Sequence, residues 1–311
     1  MSGARGRGGD ALWWAALGQV EGLGAASMLR LARAFGSPEA ALHAPPEELV
    51  GRGQLSAEQA EGVGLMRGSL ALLEVRMAAW ERAGIRLVAM GEPGYPAELL
   101  DLRTPPPLLY VRGAPLPEGG RAVAVVGTRE PTGEGEMEAR ELARGFAERG
   151  FVNVSGLARG IDTAGHRGSL DAGGGETTAV LGCGLFRIYP PENEGLAEEI
   201  ARRGSLVAEA PPEQEVSRAL LLARDRIQAA LARAVIVVQA HRQCGSMVTA
   251  SHAISVGRML LGVPWSEGPF SEGWEKLRRM GARSIRSGDD LDAIGEEILA
   301  HRPGPRQERL L

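Results

Sequence analysis

Lysine is almost missing from this chain. Lys276 is the only one among 35 basic residues, so arginine carries nearly all the positive charge. Arginine suits bidentate contact with phosphate, and a GC-rich coding bias produces the same composition. Cysteine is scarce too: Cys183 and Cys244 are too few for a disulfide scaffold or a four-ligand metal site. Aromatic residues make up 4% of the chain, with three Tyr and five Phe, which leaves little material for stacking surfaces. The longest apolar runs, such as residues 234–240, fall far short of a membrane span, and the Gly- and Arg-rich start has no apolar signal core. The expected compartment is therefore the cytoplasm, with no membrane partner. No Gly-Lys-Ser/Thr occurs, which excludes a Walker A loop, and Gly127, Gly133 and Gly135 do not fit the G-x-G-x-x-G spacing. A basic coat is also lacking: 39 acidic residues outnumber the basic ones, for a net charge of −4, so any attraction for nucleic acid must be local.

What is present is an ordinary globular composition. The chain has 311 residues, 44% hydrophobic and 24% charged, enough for one large domain and a small one. Residues 1–10 read as a flexible tail. Residues 11–64 are helical in pattern. Here Val20-Glu21-Gly22-Leu23-Gly24 precedes an apolar-periodic segment and Gly36-Ser37-Pro38 ends it. This is either a helix-hairpin-helix turn that offers N–H groups to phosphate or a plain helical bundle with a glycine cap. The pair Trp13-Trp14 reads as packing for that segment.

Residues 65–300 alternate between β-rich apolar runs (85–90, 108–111, 123–126, 151–154, 178–181, 206–208, 235–238 and 259–263) and helical stretches (135–149, 163–171, 196–203, 216–232, 249–256 and 291–300). Near-continuous apolar strands separated by helices predict an α/β fold with a doubly wound, mostly parallel sheet of extended Rossmann-like type, preceded by the small helical domain. The Pro-rich, charged end, 301–311, reads as a disordered tail.

In such a sheet, ligands bind beyond the carboxyl ends of the strands. Three strands run into glycine-containing loops that open helices: Val126-Gly127-Thr128-Arg129, the run from Val154 to Asp162 with Ser155-Gly156 and Arg159-Gly160, and the run from Gln239 to Ala250 with Arg242, Gly245-Ser246 and Thr249. Each offers backbone N–H groups, a hydroxyl and an arginine near a helix start, a combination suited to phosphate oxygens. Asp162 and His166, four apart, are compatible with a metal pair, although helix capping by Asp162 and hydrogen bonding by His166 account for them without a metal. Cys244 with His241 or His252 lacks an orienting third group for nucleophilic catalysis.

Several motifs together resemble the DNA-processing protein A family (DprA, also called Smf). They are Tyr95-Pro96, the run from Pro105 to Gly113, Val125-Val126-Gly127-Thr128-Arg129, the run from Ser155 to Asp162 with His166, Tyr189-Pro190 with Asn193, Glu209-Ala210-Pro211, Gly245-Ser246 with Thr249-Ala250, Val263-Pro264, Ser271 with Gly273, and Gly281-Ala282. The resemblance spans roughly residues 85–290. It implies a dimeric single-stranded DNA-binding protein, not an enzyme. Such a protein protects incoming strands and loads the RecA recombinase in natural transformation, without a metal or nucleotide cofactor. It also implies that Arg129 and Arg159 contact backbone phosphates while Gly127, Ser155, Gly156, Gly245 and Ser246 line the pocket. Arg224 and Arg226 are expected to add charge and flat guanidinium surfaces, and sparse aromatics predict binding dominated by charge.

The chain also departs from the family pattern. Where the family usually reads Phe-Pro-x-Arg-Asn-Arg-Ile-Ile, this chain has Leu221-Leu222-Ala223-Arg224-Asp225-Arg226-Ile227-Gln228. Asp225, expected at the start of a helical segment, either pairs with a flanking arginine or caps the helix. Gln239 stands for a usual Glu, Cys244 for Ser and Trp274 for Asn, and no residues are expected to remain for the winged-helix domain of some members. Two other readings share the fold: a nucleotide-sensing protein using the same pocket, and a nucleotide phosphoribohydrolase. The Pro-Gly-Gly-x-Gly-Thr motif of the latter is absent, since Gly173-Gly174-Gly175-Glu176 does not match it.

Overall fold

A computed structural model describes residues 9–117 and 120–302. The expected tails at 1–10 and 301–311 thus lie almost entirely outside the described residues. Six helices open the chain: α1 (Ala11–Gly18), α2 (Ala25–Phe35), α3 (Pro38–His43), α4 (Pro46–Gly51), α5 (Ala57–Gly68) and α6 (Leu70–Arg82). Local signals start several of them. The Ser37 hydroxyl accepts from Ala40 N–H, and Ser56 and Gln59 form a reciprocal capping box. The glycine-containing turn between α1 and α2 is pinned to α5 by Gln59, which donates to the Gly22 carbonyl at 3.0 Å. Trp14 is buried, and Trp13 meets His43 edge-on, so the tryptophan pair packs this segment as expected. The division expected at 64–65 falls inside α5, and α6 carries the helical part on to Arg82.

Nine strands follow among the described residues: β1 (Ile85–Ala89), β2 (Leu108–Gly113), β3 (Ala122–Val126), β4 (Val152–Ser155), β5 (Thr177–Leu181), β6 (Ser205–Ala208), β7 (Ala234–Val237), β8 (Met259–Gly262) and β9 (Arg283–Ser284). They form one sheet in the order β1-β2-β6-β5-β4-β3-β7-β8-β9. From β6 to β9 every pairing is parallel, while β1–β2 and β2–β6 are antiparallel. The sheet grows from β3 outward in both directions, so the connectivity reverses between β3 and β7.

The interleaved helices are α7 (Gly133–Glu148), α8 (Ile161–Asp171), α9 (Glu194–Arg203), α10 (Arg218–Leu231), α11 (Gly245–Ser255), α12 (Ser271–Arg279) and α13 (Leu291–Ala300). Successive strand residues point to opposite faces. Val123 and Val125 pack with Leu142 and Phe146 of α7, Ile161 of α8 and Leu291 of α13. Ala124 and Val126 pack on the other face with Ile227 of α10 and Met247 of α11. The apolar strand runs are therefore buried on both sides. The helical segment shares a core with Tyr110, Leu181 and Leu206 of the sheet and Ile200 of α9, so it packs directly against the antiparallel end. Among the described residues no helix is long and apolar enough to cross a membrane.

Candidate functional site

The loops after β3, β4 and β5 meet above the carboxyl ends of those strands, where they enclose a small cavity of about 20 Å³. Arg129, Gly156, Ala158, Arg159, Tyr189, Pro190, Leu221 and Arg224 line it. That volume holds about one water or one phosphate oxygen. Larger ligands must lie across its mouth, where Arg129 and Arg159 are both exposed.

The loop after β4 owes its shape to a buried carboxylate. Asp162 Oδ2 accepts from Gly156 N–H at 3.1 Å and Ala158 N–H at 3.4 Å. Asn193 donates to the Leu157 carbonyl and the Thr163 hydroxyl, both at 2.9 Å. Gly160 has φ +72°, and a Cβ there would lie 2.5 Å from the Thr128 carbonyl oxygen, so only glycine lets the β3 and β4 loops touch. Asp162 sits in the first turn of α8 but holds the loop before the helix, whose N-cap is Gly160. Burial raises its carboxyl above the usual range, against the pull of Arg224 and the loop N–H groups.

Arg224 forms the floor. Its guanidinium fills the space over Gly156, where a Cβ would lie 1.5 Å from Nη1. Nη1 donates to the Val180 carbonyl at 2.9 Å, Nε donates to Asp225 at 2.8 Å, and Nη2 is 4.0 Å from Asp162. This arginine is 7% exposed and bracketed by two buried carboxylates. It is a structural cation under the site, not the open stacking surface the sequence suggested. Asp225 also lies elsewhere than expected. The helix begins at Arg218 with Ser217 as its cap, so Asp225 sits two turns in, 6% exposed, paired with Arg224. Burial pushes its carboxyl up to about 6; Arg224 pulls it down and Asp162 pushes it further up.

Other expected residues separate from the cavity. Both Arg226 contacts, at 2.7 Å, go to the Glu209 carboxylate. Ser155 is buried and donates to the Val125 carbonyl at 2.8 Å, beneath the loop it begins. Gly127 and Thr128 lie at the reversal of strand order, which Gln239 closes. Thr128 N–H donates to the Gln239 carbonyl at 2.7 Å. The Gln239 side chain accepts from Thr132 N–H at 3.0 Å and donates to the Thr132 hydroxyl at 2.8 Å. The space at that point is thus filled, and the cavity sits one strand over. Gly245, Ser246 and Thr249 belong to the first turns of α11, with Ser246 and Thr249 buried. Next to them is a separate open hollow of about 360 Å³ lined by Gln243, Cys244, Met247, Val248, Ser251, His252 and Lys276.

The catalytic candidates are engaged in other contacts. Cys244 Sγ donates to the His241 carbonyl at 3.2 Å, and the His241 ring lies against Phe270. His166 Nδ1 is 2.7 Å from the Thr177 hydroxyl, and burial, with Arg224 nearby, pushes the imidazole down to about 3. Sequence reasoning assigned no role to Tyr189, Pro190 or Leu221 at the cavity wall. Their signal was the Tyr-Pro pair just beyond a buried strand. Glu192 was also missed: it forms an ion pair with Arg159 at the rim.

Comparison with known proteins follows the same lines. The family model for DNA recombination-mediator protein A matches residues 86–294. The DNA processing protein DprA of Bacillus subtilis is 37% identical over 217 residues, which are 69% of this chain and 73% of that protein. Protein Smf of Synechocystis sp. is 34% identical over 287 residues, 90% of this chain and 71% of that protein. The crystal structure of DprA from Streptococcus pneumoniae superposes with a TM-score of 0.76 at 28% identity, covering 91% of this chain and 97% of that one. A Helicobacter pylori DNA processing protein A structure, described for its single-stranded DNA binding mode, gives 0.60 at 28% identity over 70% of this chain and 98% of that one.

Proposed function

Because the chain belongs to the DNA recombination-mediator protein A family, we propose that its role in DNA processing is to bind single-stranded DNA through the rim of this cavity. The carrying observation is the pair of exposed guanidinium groups, Arg129 after β3 and Arg159 after β4, at the mouth of one recess floored by Arg224. Successive phosphates of a flexible strand reach both, and the small recess admits an oxygen, not a whole nucleotide. Arg159 is paired with Glu192 in the free protein. An arriving phosphate competes with that exposed carboxylate, an exchange that is easy at a solvated pair.

The protein in this reading binds and does not catalyse. Asp162 is committed to loop N–H groups, His166 is held neutral, and Cys244 is bonded to a carbonyl. It protects incoming strands in the cytoplasm, as a homodimer, and passes them to the RecA recombinase during natural transformation. Family membership supports these last parts.

The test is fluorescence anisotropy with labelled oligothymidine, repeated with excess nucleoside monophosphate and ATP, followed by analysis of every ligand for turnover. Tight strand binding with no displacement and no turnover is expected. Displacement of the strand by one nucleotide at stoichiometric levels would replace this reading with nucleotide sensing, and release of a free base would replace it with hydrolysis.

A further inference from the structure

Phe186 is a large apolar ring left 47% exposed in a chain with few aromatics. It lies on the loop after β5, three residues before Tyr189, which lines the cavity. Leu222, 44% exposed, follows the lining residue Leu221 at the start of α10. The two segments touch, since a Cβ at Gly182 would lie 2.8 Å from Leu221 Cα. The Phe186 backbone is fixed: its N–H donates to the Pro212 carbonyl at 2.9 Å, and Gly184 N–H donates to the Gln214 carbonyl at 2.7 Å. The loop that lines the cavity through Tyr189 thus also carries a half-exposed ring, its backbone held by the segment after β6. Among the described residues no other ring stacks on it.

The geometry points to Phe186 as the stacking platform for a base of the bound strand. The inference rests on the single-strand reading above and adds the position of a base to that of the phosphates. A nucleotide couples an anionic group to a flat apolar one, and this corner of the molecule presents partners for both within a few residues. Stacking on a ring face is tolerant of sequence, because every base has a π-face. The platform thus adds affinity for bases without selecting among them.

The experiment compares oligothymidine with an abasic strand of the same length, using wild-type protein, Phe186→Ala and Phe186→Trp. Wild type is expected to prefer the base-bearing strand. Phe186→Ala should lose about tenfold in affinity for oligothymidine, the scale of one base–aromatic stack, and nothing for the abasic strand, with an unchanged salt slope. Phe186→Trp should keep the preference. Equal binding of oligothymidine by wild type and Phe186→Ala would overturn the inference and leave the phosphate reading intact. So would an equal loss on both strands, which would assign Phe186 to loop structure. Failure of wild type to bind either strand would instead overturn the single-strand reading itself.

Discussion

Arg224 and Asp225 show how a residue's environment overrides its type. An arginine beside a phosphate site reads as a ligand, yet this one is sealed over Gly156 between two carboxylates. Two buried acids share one buried cation, so the group carries excess negative charge whenever both are ionised. The consequence falls on Asp225, whose carboxyl is pushed up to about 6. Its folded value lies above its unfolded one, so folding favours the protonated form. The stability this contributes is fully present below about pH 4 and is lost as pH rises through 6. Asp225→Asn removes that titration and keeps an oxygen to accept from Arg224. Urea unfolding at pH 4.5 and 7.5 should therefore show wild type losing stability relative to the variant by on the order of 2 kcal/mol across that interval. The same difference at both pH values would contradict the assignment. Sequence alone made the Arg–Asp pairing legible. Its burial was not, because the groups that meet Asp225 there, Asp162 and Arg129, are far away in the chain.

At the scale of elements, the segment between β6 and α10 ties the helical part to the site. Glu213 accepts from Trp80 Nε1 at 2.7 Å and from Arg76 at 3.0 Å, both on α6. The flanking carbonyls of Pro212 and Gln214 hold the loop that carries Phe186 and Tyr189. Burial raises the Glu213 carboxyl, but the bonds from Trp80 and Arg76 outweigh it and leave it below its usual range. Glu213→Ala orphans the Trp80 N–H and should weaken docking of α6 by about 1–3 kcal/mol. Hydrogen exchange checks this: faster exchange in α6 is expected, with β3 and β7 unchanged, and uniform protection would show the contact to be idle. All eight runs read from the sequence became strands; β3, β6 and β7 are buried on both faces and leave a near-continuous apolar signature, while β1 at the sheet edge is interrupted by the exposed Arg86. The ninth strand, Arg283–Ser284, is two exposed residues long and has no pattern to read. Helix α6 escaped because Leu72 and Val75 are exposed, which blurs the helical period.

For the whole molecule, the sheet order decides where a ligand can sit. The glycine loops were visible in sequence, and the expectation of a rim of arginines followed from them. The filling of the space between β3 and β7 was not visible, because Gln239 reaches Thr132 across more than a hundred residues of chain. The same holds for Arg226, which its sequence neighbours place at the site and which Glu209 holds elsewhere. With a net charge of −4, the protein has no general pull on DNA, so affinity must come from the few cations the fold gathers at one edge. The most direct measurement is the salt dependence of oligothymidine affinity for wild type and Arg129→Ala, a change at an exposed residue. The account predicts weaker binding by the variant and a log–log salt slope shallower by about 0.7, the loss of one phosphate contact to a single strand. An unchanged affinity with an unchanged slope would contradict it.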